Sequence, residues 1–150
     1  YGISQCKKLK YVHLYESDFS DLSLFSGFSE LSELMIESEK QIEYNGLDTL
    51  ISLEKLVLSV PNVDIKEISK AEGIINLDFH CLSQITNIEY ISNMTKLKSL
   101  YFGACDIDYK ILQSLSNQES LEKIYFSNCK FNFDEEQFEN YLNKISCKGN

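Results

Sequence analysis

One apolar pattern recurs six times along the 150-residue chain, and it constrains the fold more than any other feature. Each copy has apolar residues at its first, fourth and sixth places, and consecutive copies start 22, 22, 21, 23 and 24 residues apart. The copies are Leu9-x-x-Val12-x-Leu14, Leu31-x-x-Leu34-x-Ile36, Leu53-x-x-Leu56-x-Leu58, Ile74-x-x-Leu77-x-Phe79, Leu97-x-x-Leu100-x-Phe102 and Leu121-x-x-Ile124-x-Phe126. A period of this length predicts stacked structural repeats.

A second apolar pattern lies between these copies, nine and six places before the start of each of the last five. Its members are Leu22, Tyr44, Ile65, Ile88 and Leu112 in one row, and Phe25, Leu47, Ile68, Ile91 and Leu115 in the other. Apolar residues three apart predict a helical or 3₁₀ turn. Ile3 has the same register relative to Leu9, so the chain is expected to begin inside a repeat, as a fragment or processed form.

The alternation within each copy predicts a short strand with one face toward a core and one toward solvent. A unit of about 22 residues cannot bury its apolar face alone, so neighbouring units must stack into a ladder of parallel strands. We therefore predict a solenoid in which equivalent core residues lie side by side. Leu34, Leu56, Leu77 and Leu100 are the clearest case.

The pattern resembles the consensus of the leucine-rich-repeat family, L-x-x-L-x-L-x-x-N/C-x-L, with units of roughly 20 to 29 residues. The resemblance runs from Ile3 to about Phe131. The ninth place fits best in the last two repeats, where it holds Cys105 and Cys129. Three repeats depart from the consensus there, with Glu39, Pro61 and Leu82.

Residues 85–94 resemble the short-repeat subclass found in phosphatase regulators and internalin-like bacterial surface proteins. The family resemblance implies an α/β solenoid: a right-handed superhelix with a parallel concave β-sheet, and 3₁₀ or short helices on the convex side. On this basis residues 1–131 form a partial first unit plus six strand-bearing repeats, and residues 132–150 form a C-terminal cap.

The capping segment is predicted to form an amphipathic helix. Asp134 is a suitable N-cap, and Gln137 can reach back to it. The apolar residues that share one helical face are Phe138, Tyr141, Leu142 and Ile145. A terminal repeat needs such a cover for its apolar edge. No matching cap is visible at the N-terminal edge, where we expect further sequence or a contact.

Partner contacts are expected on the concave strand face, where the side chains that do not belong to the core pattern lie. The predicted partner-binding residues are Tyr11, His13, Tyr15, Met35, Glu37, Val57, Asp78, His80, Tyr101 and Tyr125. Aromatic side chains on a rigid sheet provide a large contact area at low entropic cost, which favours protein recognition. The alternative is that Tyr and Val are common on any exposed strand.

The net charge and its distribution along the chain indicate which kinds of partner to expect. The net charge is −9 and all 14 cations are Lys, so the chain lacks the Arg side chains that suit phosphate recognition, and nucleic acid is not an expected partner. The segment from Glu16 to Glu54 holds ten acids and one Lys, while the rest of the chain is neutral. This favours a protein partner with a basic surface; a solvated, solubilising face is the alternative.

Two other classes of function remain open. One is a structural subunit of a larger assembly, docked through the N-terminal edge. The other is a hydrolase based on Ser59, with Asp78 and His80 nearby, but an open sheet offers no obvious oxyanion donors, so we expect no enzyme.

No cofactor, metal site or membrane span is predicted, since the His and Cys spacing matches no ligand motif and the apolar runs are short. Five Cys at irregular spacing do not form a disulfide framework. Free thiols favour the cytoplasm and a processed N-terminus favours secretion, so the compartment stays open.

Overall fold

The repeat period sets the order of the elements. The computed structural model describes residues 2–15 and 20–146. Its strands are β1 Tyr11–Tyr15, β2 Glu33–Glu37, β3 Lys55–Ser59, β4 Asn62–Asp64, β5 Asn76–His80, β6 Gln84–Thr86, β7 Ser99–Gly103, β8 Asp106–Asp108, β9 Lys123–Ser127 and β10 Lys130–Asn132. The six longer strands form one parallel sheet in the order β1-β2-β3-β5-β7-β9.

The register of this sheet brings equivalent residues of successive repeats together. One row of paired residues consists of Val12, Leu34, Leu56, Leu77, Leu100 and Ile124. Every pattern residue of the four middle repeats is buried. In the two end repeats Val12 is buried, and the other pattern residues, such as Leu14 and Phe126, are partly buried. The predicted solenoid stacking is confirmed.

The chain returns from each strand to the next through a short helical turn, as the second apolar pattern predicted. The 3₁₀ helices cover Ile3–Gln5, Leu22–Phe25, Leu47–Thr49 and Ile88–Asn93, and the α-helices are α1 Ile65–Ile68 and α2 Tyr109–Leu115. All ten residues of that pattern are buried. Asp21, Asp64 and Asp108 cap three of the turns, each accepting a backbone N–H at 2.9 Å. None of the described helices is long and apolar enough to cross a bilayer.

Four short strands extend the repeats beyond the main sheet. β4 pairs with β6, and β8 pairs with β10, all in parallel. The turns that lead into β6, β8 and β10 each contain a residue with a left-handed backbone, at Cys81, Ala104 and Asn128. Their φ angles of 54°, 52° and 54° redirect the chain directly after β5, β7 and β9. The departures from the consensus at Pro61 and Leu82 therefore do not prevent these pairings.

The two ends of the solenoid are built differently. At the C-terminal end, α3 Glu135–Ser146 begins with the predicted reciprocal cap: the Gln137 N–H donates to Asp134 Oδ1 at 2.8 Å and the Asp134 N–H donates to Gln137 Oε1 at 3.1 Å. Phe133 and Tyr141 pack partly buried against the core. At the N-terminal end, β1 is the last strand of the sheet and has one neighbour, β2.

Two sequence predictions about the C-terminal end are not tested. The side chains of Leu142 and Ile145 and the residues beyond 146 lie outside the described part of the chain. The boundary between the repeats and the cap at residues 131 and 132 stays a prediction.

Candidate binding face of the sheet

The solvent side of the six-stranded sheet, here called the open face, carries the side chains that alternate with the core rows. Its central row follows the strand register: His13, Met35, Val57, Asp78, Tyr101 and Tyr125. Toward the strand ends lies a second row, Tyr15, Glu37, Ser59, His80, Gly103 and Ser127. Because each strand is hydrogen-bonded to its neighbours, these side chains stand on a rigid frame.

The predicted contact residues differ in how much surface they offer. Tyr11, Tyr15 and Tyr125 are 69%, 62% and 51% exposed. His13 is also exposed, while Met35, Glu37, Asp78, His80 and Tyr101 are half-buried. Val57 is only 5% exposed, although it alternates with the core residues of its strand. Val57 therefore packs within the face and offers almost no surface to a partner.

An aromatic and charged cluster occupies the N-terminal end of the open face. His13 Nε2 lies 2.9 Å from Glu37 Oε1, which joins β1 to β2 through side chains as well as backbone. The Tyr15 ring meets the His13 ring edge-on, with ring centroids 6.3 Å apart. The pairing of His13 with Glu37 was not predicted, since it depends on the strand register.

A second aromatic cluster occupies the C-terminal half of the open face. The rings of His80 and Tyr101 lie 5.0 Å apart between centroids, tilted by 36°. A Cβ atom at Gly103 would lie 2.8 Å from Tyr101 Cε1 and 2.9 Å from His80 Nδ1. Gly103 therefore leaves the space that these two rings use. In the sequence, this space is indicated by the glycine at the seventh place of the fifth repeat.

Asp78 stands between these clusters and is half-buried. It pairs in register with Val57 on one side and Tyr101 on the other. Burial raises the pKa of the Asp78 carboxyl, and the nearby positive charges of Lys55 and His80 partly oppose that rise. Within residues 2–15 and 20–146, no hydrogen bond or ion pair reaches the Asp78 carboxylate.

A groove of about 680 Å³ adjoins the open face at the carboxyl ends of β1, β2, β3 and β5. Its lining includes Tyr15, Glu37, Glu39, Pro61 and Cys81. The groove combines an aromatic side chain and a proline with two carboxylates and one lysine, Lys40. The sequence pattern did not reveal it, because it forms between the turns of different repeats.

The arrangement offers little support for catalysis. Among the described residues, no hydrogen bond joins Ser59 to His80, whose ring lies against Tyr101 instead. The part of the chain that the structure describes contains no cluster of three side chains able to hold a metal ion. These residues can form contacts, but they lack the linked nucleophile and base of a hydrolase.

Two of the described cysteines, Cys105 and Cys129, contribute to the core of the repeats, while Cys6 and Cys81 are exposed. Cys6, Cys81, Cys105 and Cys129 are free, and Cys147 lies outside the described residues. The Cys105 thiol donates to the Gly103 carbonyl at 3.3 Å, and the Cys129 thiol donates to the Phe102 carbonyl at 3.2 Å. Burial raises the pKa of the Cys105 thiol, which keeps it protonated and able to donate.

Comparison of the whole backbone with solved structures finds internalins of Listeria monocytogenes. An internalin (inlF) superposes with a TM-score of 0.73 at 18% sequence identity, over 96% of this chain and 41% of that chain. Internalin C2 superposes with a TM-score of 0.57 at 15% identity, over 93% of this chain and 71% of that chain. The chain has the leucine-rich-repeat fold.

This leucine-rich-repeat chain spans less than half the length of the inlF internalin. No protein-family model matches its sequence, and no curated protein sequence matches it. The likeness is therefore one of fold, and it confirms the predicted resemblance to internalin-like repeats. In this fold the strands line the inner side of a horseshoe, which is the side of the open face.

Proposed function

We propose that the chain is a non-catalytic recognition module that binds a partner protein through the open face of its sheet. The observation that carries the proposal is the exposure of Tyr11, Tyr15 and Tyr125 on hydrogen-bonded strands. Tyrosine buries a large area on binding, and a rigid strand loses little entropy when it does so. His80 and Tyr101 add a second aromatic contact on the same face.

The fold supports this role by analogy. Repeat solenoids present extended concave surfaces that suit the binding of macromolecules. Fold alone does not determine function, so the argument depends on the residues of the open face. Their composition favours contact over chemistry, since the Ser59 hydroxyl has no base bonded to it among the described residues.

We further propose that the partner presents a basic surface. The acids between residues 16 and 54 outnumber the cations by nine, and Glu16 and Asp18 lie outside the described residues. Of the others, Glu37 and Glu39 line the groove beside the open face. Such a field attracts an oppositely charged partner and raises its association rate at low ionic strength.

The test begins with affinity capture of a partner on the wild-type chain. The dissociation constant is then measured for the double variant Tyr101→Ala/Tyr125→Ala, which we expect to weaken binding by about ten-fold to a hundred-fold. A matched control removes two tyrosines from the helical side, Tyr90→Ala/Tyr109→Ala, and should bind as wild type does. An unchanged affinity in the first variant would move the binding site to the helical side or to an edge.

A second candidate function is that of a structural subunit docked through the N-terminal edge. The observation that favours it is that β1, among the described strands, pairs with β2 alone, and a strand at the edge of a sheet can accept another strand. A native mass well above 17.3 kDa, together with slow amide exchange in β1, would support this role. A monomeric mass with rapid exchange of the outward-facing β1 amides would exclude it.

A further inference from the structure

We propose that Asp78 anchors a lysine or arginine side chain of the partner protein, beside the ring of Tyr101. This inference rests on the proposed function, since it assigns a chemistry to one point of the open face. It differs from the sequence prediction, which located the attraction for basic groups between Glu16 and Glu54. Asp78 lies outside that segment.

The position of Asp78 suits an anchor. Its strand, β5, is the fourth of the six strands, so the carboxylate lies near the centre of the open face. The adjacent strands place Val57 on one side and Tyr101 on the other. Neighbouring parallel strands are about 4.8 Å apart, so a cation at Asp78 is within reach of the Tyr101 ring.

The two basic side chains near Asp78 each make a direct contact with another residue. Lys55 Nζ lies 3.0 Å from Glu33 Oε1, in an ion pair between β2 and β3. The His80 ring lies against Tyr101. In the part of the chain that the structure describes, no donor completes a hydrogen bond to the Asp78 carboxylate. The half-buried carboxylate has therefore lost part of its hydration without gaining a hydrogen bond in return, although Lys55 and His80 still attract its charge.

A partner cation would supply the missing donor. Part of the cost of desolvating this half-buried carboxylate is already incurred in the free chain, which leaves more of the pairing energy for binding. The raised pKa of Asp78, caused mainly by burial, is consistent with this incomplete solvation. Arginine fits best, because its planar group can bond a carboxylate and stack on a tyrosine ring together.

The test uses the full chain, labelled for NMR, and a capped tripeptide, acetyl-Gly-Arg-Gly-amide, as the probe. The matched probe replaces arginine by citrulline, which has the same shape without the charge. We expect the arginine peptide to shift the resonances of Val57, Asp78 and Tyr101 saturably at millimolar concentrations. We expect citrulline to leave them unchanged.

Variants of the chain complete the design. Asp78→Asn should weaken the binding of the arginine peptide by about five-fold. Asp106→Asn removes one negative charge from an exposed position on β8 and should leave the affinity unchanged. Amide spectra that keep the wild-type dispersion establish that both variants fold.

Four outcomes would overturn the inference: no shifts at Tyr101 at tens of millimolar, equal binding of citrulline, equal losses in the two variants, or shifts centred on Glu37 and Glu39 in the groove. The last outcome would assign the cation to the groove. The proposed function is judged by the affinity of Tyr101→Ala/Tyr125→Ala for a captured partner, whereas this inference is judged by the arginine peptide and by Asp78→Asn.

Discussion

The middle and the ends of the solenoid follow the same sequence pattern but bury it to different extents. In the middle, Leu34, Leu56 and Leu77 have no exposed surface. At the C-terminal end Ile124 occupies the equivalent place and is only partly buried, and at the N-terminal end Leu14 is partly buried although its counterparts Ile36 and Leu58 have no exposed surface. Each repeat contacts only its neighbours, so an end repeat lacks half of the packing that a middle repeat receives. Stability in this chain is therefore concentrated in the middle.

The two ends also differ from each other. The C-terminal end has α3, its reciprocal cap and a run of aromatic contacts from Phe126 through Phe131 to Phe133, with centroids 5.4 Å apart at each step. The N-terminal end has β1, which pairs with β2 alone among the described strands, and the exposed rings of Tyr11 and Tyr15. A covered end serves stability, whereas an open end leaves surface for contacts.

The largest expected effect is on the free energy of unfolding, and it differs between a middle repeat and an end repeat. Leu56→Ala removes a fully buried side chain from β3 and should lower the free energy of unfolding by about 3 kcal/mol. Leu14→Ala makes the same chemical change in β1, where the side chain is partly buried, and should cost about 1 kcal/mol. Urea unfolding followed by circular dichroism measures both. Equal losses would show that the end repeat is as tightly packed as the middle.

The second prediction concerns the C-terminal cap, where the expected effect is smaller. Asp134→Ala removes the acceptor for the Gln137 N–H and should cost about 1 kcal/mol locally. We expect faster hydrogen exchange of the α3 amides with unchanged exchange in β3, since the cap is remote from the middle repeats. Asp106→Ala, which removes an exposed Asp elsewhere, is the control. Faster exchange throughout the chain would mean that α3 stabilises the whole solenoid.

A third variant tests the open face without disturbing the core. Gly103→Ala puts a methyl group into the space used by Tyr101 and His80, whose ring ends can move, so the loss of stability should stay within about 1 kcal/mol. The ring contact between Tyr101 and His80 should disappear from nuclear Overhauser spectra. Gly2→Ala, where a Cβ meets nothing within 4 Å, should leave that contact intact. Persistence of the contact in Gly103→Ala would show that the rings do not depend on this glycine.

The smallest effect concerns the pH dependence of stability. Because the pKa of Asp78 is raised in the folded chain, its ionisation opposes folding, and the penalty appears as the pH rises above the ordinary value of 3.8. Asp78→Asn should therefore raise the melting temperature at pH 7 and leave it unchanged at pH 3, compared with wild type. A lower melting temperature at pH 7 would mean that the carboxylate stabilises the fold through a contact.

The buried core residues could be predicted from the sequence because the same positions are buried in every repeat of a solenoid. The row containing Leu56 and Leu77 could be read directly from the spacing. The reciprocal cap between Asp134 and Gln137 was also readable, since both partners lie within one helical turn. These features depend on residues that are close in sequence or equivalent in the repeat.

The contacts and burial of the side chains on the open face were harder to predict, because their neighbours in space lie about 22 residues away in the sequence. Val57 belongs to the open face by alternation, yet it is only 5% exposed. The pair formed by His13 and Glu37 requires the strand register. Gln118 is a similar case: its buried amide donates to the carbonyls of Ile91 and Met94 at 2.9 and 2.8 Å. No periodic signal marks such bonds.

The most direct test of the account is the register of the parallel strands in solution. Nuclear Overhauser contacts between methyl groups should connect Leu34 to Leu56, Leu56 to Leu77 and Leu77 to Leu100 in sequence. Amide contacts between β3 and β5 should have the parallel pattern. Methyl contacts that skip neighbouring repeats, or an antiparallel amide pattern, would contradict the winding on which the open face and its proposed partner site depend.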